Sequence, residues 1–146
     1  MSHLGRALES LRPCDEVLVV NHGYQEENLK VAREHGARII KGVNGVDHGA
    51  YIQDARHDWI FCLLPTESVA EELEASLLEW KHSETTQDLL GYNIRIREQN
   101  GIEWKLLNDE LRLANRKKIS WTGDCPPEAP NAPLLLGHIL RMPDAE

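Results

Sequence analysis

A chain of 146 residues with 41% hydrophobic side chains has the length of one domain and enough apolar matter for a single core, which excludes a disordered tail and a small disulfide scaffold. Sixteen Lys and Arg against 24 Asp and Glu leave a formal charge of −8, which repels phosphate backbones and anionic headgroups, so nucleic acid is not an expected partner. No apolar run reaches the roughly 20 residues of a membrane span, and MSHLGRALES lacks the basic-then-apolar order of a signal sequence; the expectation is a soluble, cytoplasmic protein without a membrane span.

Leu4, Ala7, Leu8 and Leu11 recur at helical spacing after Ser2, a candidate N-cap, and Pro13 ends the pattern. EVLVV, residues 16–20, is apolar and β-branched enough for a buried strand, and Asn21, His22 and Gly23 read as the turn behind it. From Glu26 to His35 the side chains of Leu29, Val31 and Ala32 share a helix face, and Gly36 sits where a C-cap glycine belongs. On that apolar side His35 reads as a packed histidine with one hydrogen bond. ARII, residues 37–40, is a second short strand, Asp47 caps an expected helix to about Arg56, and WIFCLL, residues 59–64, is a third, buried strand. Ser68 and Glu71 have capping-box spacing for a helix carrying Val69, Leu73, Leu77 and Trp80 on one side, with the acidic run from Glu67 to Glu79 as its solvated face. Strands alternating with helices to Lys81 predict parallel strands with helical crossovers on both sheet faces.

Beyond HSETTQD the pattern changes. LLGYNIRIRE and IEWKLLN alternate in polarity around Gln99-Asn100-Gly101, a hairpin signal that LRLAN and KKISW extend. Four of the seven prolines fall between Gly123 and Pro133, which marks an irregular connector before the apolar segment LLLGHIL. Trp59 and Trp80 are expected in the core, and Trp104 and Trp121 in hairpin packing. Cys14, Cys62 and Cys125 are odd in number, widely spaced and without a CxxC pair, which fits a reducing compartment; Cys62 within WIFCLL reads as a small buried hydrophobe rather than a reactive thiol. His22, His48 and His57 lack the spacing of a metal cluster, and GVNG, residues 42–45, lacks the Lys-Ser/Thr of a phosphate loop.

Taken in order, these segments resemble the family 2 glycosyltransferases of the GT-A fold, nearest the small enzymes that add sugars to bacterial surface lipopolysaccharide. LESLRPCDEVLVVNHG is similar to the family's "cLeSL…vDEIvVVDSgS", VAREHGARII to its "iAreyGAkvi", and DARHDWIFCLLPTE to its "eqArgDWvlfLDaDE". GYNIRIR, LRLANR and LLLGHIL are similar to segments of the acceptor half, where the family has "RLFrr" and "l.G.i.H". The resemblance implies a GT-A-like (Rossmann-like) α/β three-layer sandwich. It makes one domain over residues 1–146, with a nucleotide-binding-like half at 1–81 and an acceptor-like half, including the antiparallel hairpin region, at 82–146.

The departures fall on the chemistry. Where the family ends the strand equivalent to EVLVV in an Asp that helps hold the nucleotide, this chain has Asn21, followed by His22 and Gly23. The family's Asp-x-Asp metal motif falls on Leu64, Pro65 and Thr66, leaving Glu67 of the acidic cluster. Mg²⁺ or Mn²⁺ needs charged oxygens to bridge it to a diphosphate, so the divalent cofactor expected of the family has lost its ligands. A Lys/Arg-Asn pair matches His48 and Gly49, and the late His-Glu or Asp pair that supplies the general base matches Pro127 and Glu128. Without an ion to meet the charge on the leaving diphosphate, the expected activity is lost or very weak. What remains is a binding or interaction module with a remnant nucleotide or nucleotide-sugar pocket at Asn21, His22, Gly23, His48, Thr66 and Glu67. The alternatives are an active metal-independent transferase, with His22 or His48 as the electrostatic substitute and Glu128 as base, and a homo-oligomeric interaction protein.

One further departure concerns the sheet. Family members carry an apolar strand just before the first helix, central in the sheet between the equivalents of EVLVV and WIFCLL, and here the sequence opens at the helix. Two rows of backbone donors and acceptors are then left facing each other, at roughly 1–3 kcal/mol for each buried group unsatisfied. Direct pairing of the two strands, a strand from a second subunit, the tail LLLGHIL, or a segment upstream of Met1 would close that gap.

Overall fold

The computed structural model describes residues 3–21, 26–42, 51–53, 55–83, 89–120 and 125–142. Helix α1 (His3–Glu9) leads into strand β1 (Leu18–Asn21), and α2 (Glu26–Glu34) crosses over to β2 (Arg38–Lys41), which pairs with β1 in parallel. Leu4 and Leu8 of α1, Val19 of β1 and Ala32 of α2 form one small core, so the apolar spacing of the first forty residues is consumed locally. Gly36 takes φ 74 after α2, the left-handed conformation that ends a helix without a Cβ penalty.

A second, mixed sheet holds the rest. Strands β3 (Trp59–Phe61), β4 (Glu67–Val69), β5 (Gly91–Asn100), β6 (Glu103–Leu106), β7 (Glu110–Asn115) and β8 (Leu134–Arg141) are ordered β3-β7-β5-β8-β4, with β6 also on β5. Helix α3 (Glu71–Lys81) lies on one face, where its Leu73 and Leu77 meet Tyr92, Ile94 and Ile96 of β5, Leu113 of β7 and Ile139 of β8. Leu111 and Ala114 of β7 face the other way, against Ile60, Ile119, Ala129 and Ala132. The hairpin signal is realised: Asn100 pairs with Glu103 across Gly101 at φ 67. Trp59 and Trp80 pack edge to face with centroids 5.1 Å apart, whereas Trp104 stays exposed on β6.

Several expectations change on contact with the tertiary structure. The sheet is mixed rather than parallel: among the described strands only β1–β2 and β5–β8 run parallel. Ser68 does not cap α3; it sits in β4, Ala70 takes the N-cap without a side-chain bond, and pairing with β8 has overridden the local signal. WIFCLL gives only a three-residue, half-buried strand. KKIS, residues 117–120, adds no strand, and His35 is exposed, its Nδ1–H donating to the Val31 carbonyl. The helix expected from Asp47 falls largely outside the described residues, which show one tight 3-10 turn at 51–53. Among the described residues no helix is long and apolar enough to cross a membrane.

Gly137 brings β8 very close to α3. Between Ile94/Leu135 and Arg95/His138 the β5–β8 register shifts, so β8 bulges at 136–137, and a Cβ on Gly137 would fall on the Leu73 backbone of α3. Its φ of 111 is also a conformation that other residues adopt only under strain. Gly137→Ala is therefore expected to lower the unfolding free energy by about 3 kcal/mol, read as a fall in the urea midpoint at unchanged m-value.

Candidate functional site

Two features stand out: a charge cluster around Glu67, and an open cleft whose lining, among the described residues, includes none of those expected to form a nucleotide pocket. Glu67 opens β4 and is 1% exposed. Its Oε1 accepts from Arg112 Nη1 at 2.6 Å and from the Leu64 N–H at 2.9 Å; its Oε2 accepts from Arg112 Nη2 at 2.9 Å and from Arg141 Nε and Nη2 at 3.0 and 2.9 Å. Arg112 is fully buried in β7, where Nε also donates to Glu110 at 3.1 Å and Nη1 to the Cys62 carbonyl at 3.1 Å. Glu67 and Arg112 form a fully buried ion pair, and the partly exposed Arg141 and Glu110 balance it from the edge of the cluster. Burial alone would raise the Glu67 carboxyl, but the hydrogen bonds and charge of Arg112, helped by the Leu64 N–H and Arg141, hold it below the ordinary glutamate range.

The solvated acidic face read for residues 67–79 therefore does not include its first member. Glu71, Glu72 and Glu79 are exposed on α3; Glu67 is the reverse case. Sequence reasoning also missed Arg112, since a basic residue between Leu111 and Leu113 reads as the solvent side of a strand. Both faces of β7 are covered here, and an isolated buried acid of β4 is its counterpart. No local spacing links residues 45 positions apart.

Of the expected pocket residues, Asn21 ends β1 opposite Lys41, and Thr66 lies in the turn before β4 with its carbonyl accepting from the Met142 N–H at 2.9 Å. Glu128 is exposed in the proline-rich connector, and no described bond joins it to Thr66 or Glu67. His22, Gly23, His48 and Trp121 lie outside the described residues. Among the described residues no three His, Cys, Asp or Glu side chains gather in a way that would hold a metal ion.

The cleft has a volume of about 700 Å³. Leu4, Leu8 and Leu11 of α1 and its following turn, Leu18 and Val20 of β1, Trp59 and Phe61 of β3, and Trp80 of α3 are among its lining residues. Among the described residues β1 pairs only with β2 and β3 only with β7, and the two sheets do not join. The Val17 carbonyl accepts from the Arg38 N–H, so alternation along β1 turns the backbone groups of Leu18 and Val20 away from β2. On β3 the Cys62 N–H donates to the Arg112 carbonyl and the Asp58 carbonyl accepts from the Arg116 N–H, which turns those of Trp59 and Phe61 away from β7. No described strand pairs with either of these edges, and both border the cleft. The indole N–H of Trp80 is buried there without a partner. Direct pairing of β1 with β3 does not occur, and LLLGHIL is committed as β8 between β5 and β4.

Compared with models of known protein families and with curated proteins, the chain matches none.

Removing the carboxylate from this cluster strands Arg112 in the core. Glu67→Ala is expected to cost about 3–5 kcal/mol of stability in chemical denaturation. Because the folded carboxyl titrates below its ordinary value of 4.5, its contribution is complete above that pH and is lost as pH falls through the lowered folded value. The acid limb of Tm against pH should accordingly be flatter in Glu67→Gln than in the wild type.

Proposed function

We propose that this chain is a family 2 glycosyltransferase-like domain that has given up metal-dependent nucleotide-sugar transfer and works as a binding module. The observation that carries the reading is the state of Glu67. Where the resemblance places an acidic metal motif, Leu64 and Pro65 offer no side-chain oxygen, Thr66 offers a hydroxyl, and both oxygens of Glu67 are occupied by Arg112 and Arg141. A hard divalent cation needs charged oxygens free to enter its shell, and this donor set does not fit one. No step through a metal is therefore assigned to the chain.

The binding surface is the cleft between β1 and β3, and its occupant is an extended apolar polypeptide strand from another chain. Apolar side chains line the cavity, and two strand edges that no described strand pairs border it. Only an extended backbone matches two such edges at once, by the strand-addition mode that takes affinity from main-chain bonds and selectivity from alternate side-chain pockets. A strand of about five to six residues has the usual length for such pairing.

Titration calorimetry with UDP and UDP-sugars, with and without Mn²⁺, is expected to show no metal-dependent binding, and no sugar transfer or hydrolysis is expected across a nucleotide-sugar panel. Turnover that requires Mn²⁺ would overturn the reading. A soluble hexapeptide of alternating valine and threonine is expected to raise Tm, whereas the same peptide with a central proline does not, and Phe61→Arg abolishes the shift. If neither peptide shifts Tm and light scattering gives a monomer at every concentration, the strand-binding surface is wrong even if the metal site is lost.

A further inference from the structure

The sequence reading treated the three cysteines separately, and the fold brings two of them together. Cys62 follows β3, Cys125 opens the described part of the proline-rich connector, and 63 positions separate them. Their Sγ atoms lie 3.3 Å apart, with the Cys62 thiol donating to Cys125. Neither is in a disulfide, both are half-buried rather than sealed in the core, and Cys62 lines the cleft of about 700 Å³. Arg112 places its buried guanidinium beside the pair, with Nη1 donating to the Cys62 carbonyl.

We propose that Cys62 and Cys125 form a reversible disulfide when the protein meets a hydroperoxide, fastening the connector to the end of β3. The two thiols have unequal roles. The hydrogen bond from Cys62 and the charge of Arg112 outweigh burial at Cys125 and lower its pKa, which enriches its thiolate. The same hydrogen bond, with burial, pushes Cys62 well above the ordinary thiol range. Cys125 is thus the attacking sulfur: its lone pair forms an S–O bond with one peroxide oxygen, the O–O bond breaks, and the departing hydroxide takes a proton from solvent. Cys125 becomes a sulfenic acid, oxidised by two electrons as the peroxide is reduced. The Cys62 sulfur then attacks Cys125 Sγ; the S–S bond forms, the S–O bond breaks, and the sulfenic hydroxyl leaves as water with the Cys62 proton. Closing the bond shortens the 3.3 Å separation to about 2.0 Å, a change within reach of side-chain rotation. Cys14 takes no part, since burial first and Asp15 second push its thiol up to about 11.

The test counts thiols. Reduced protein, denatured and alkylated with N-ethylmaleimide, carries three adducts, one for each cysteine. After a stoichiometric dose of hydrogen peroxide the expected product carries one adduct, at Cys14, with a tryptic peptide joining Cys62 to Cys125. Dithiothreitol restores all three. The oxidised protein is expected to melt roughly 5–15 °C higher, because the crosslink closes a long loop in the unfolded chain. Cys62→Ser is expected to leave a dimedone-reactive sulfenic acid at Cys125, and Cys125→Ser neither sulfenic acid nor crosslink. Three adducts after peroxide, a crosslink through Cys14, or sulfinic acid at Cys125 in place of the crosslink would each overturn the proposal. Should Cys62→Ser not fold, Cys14→Ala supplies the same decision: two adducts when reduced and none after peroxide.

Discussion

Taking a carboxylate out of water costs several kcal/mol unless cationic donors replace its hydration, and that demand shapes the larger sheet. Glu67 of β4 meets it with Arg112 of β7 and Arg141 of β8. In hydrogen-bond order β7 and β4 are separated by β5 and β8, so a direct contact between their side chains requires the sheet to curl. The curl closes one side of the sheet over the charge cluster, while α3 covers the apolar residues of β5, β7 and β8. Glu110 and the Cys62 carbonyl take up remaining donors of Arg112, so charge and hydrogen-bonding capacity are met together.

The same cluster connects the proposed loss of metal chemistry to the fold. A residue whose two carboxylate oxygens both accept from guanidinium groups stabilises the strands it joins, and cannot at the same time open its oxygens to a cation. On the reading proposed above, the site has turned from reaction chemistry to structure. On that same reading the cleft beside it carries the function. Among the described residues nothing pairs with its two strand edges, which most folded proteins cover or blunt. Arg112 touches both themes, since it sits beside the thiols at the cleft's edge as well as at the centre of the charge cluster.

How far the sequence revealed this depended on the range of the interaction. The apolar spacing of Leu4, Leu8 and Ala32, the C-cap at Gly36 and the turn at Gly101 are set by neighbours a few residues away, and each was legible. The strand identity of residues 67–69 was not, because the capping-box pattern of Ser68 and Glu71 is local while the bonds that β4 makes to β8 join residues about seventy positions apart. Nor was the Cys62–Cys125 pair, which no spacing rule connects.

The sequence by itself determined the domain-sized apolar content, the net negative charge, the helix and turn positions of the first forty residues, the hairpin, and the absence of carboxylates at Leu64, Pro65 and Thr66. All of these depend on residue identity or on contacts within a few positions. Only the tertiary structure decided that Glu67 is buried against two arginines, that β1 and β3 stand apart across a cleft, and that two distant thiols meet. Those outcomes depend on which strands pair and how the sheet curls, and a strand's sequence states its preference for pairing without naming its partner.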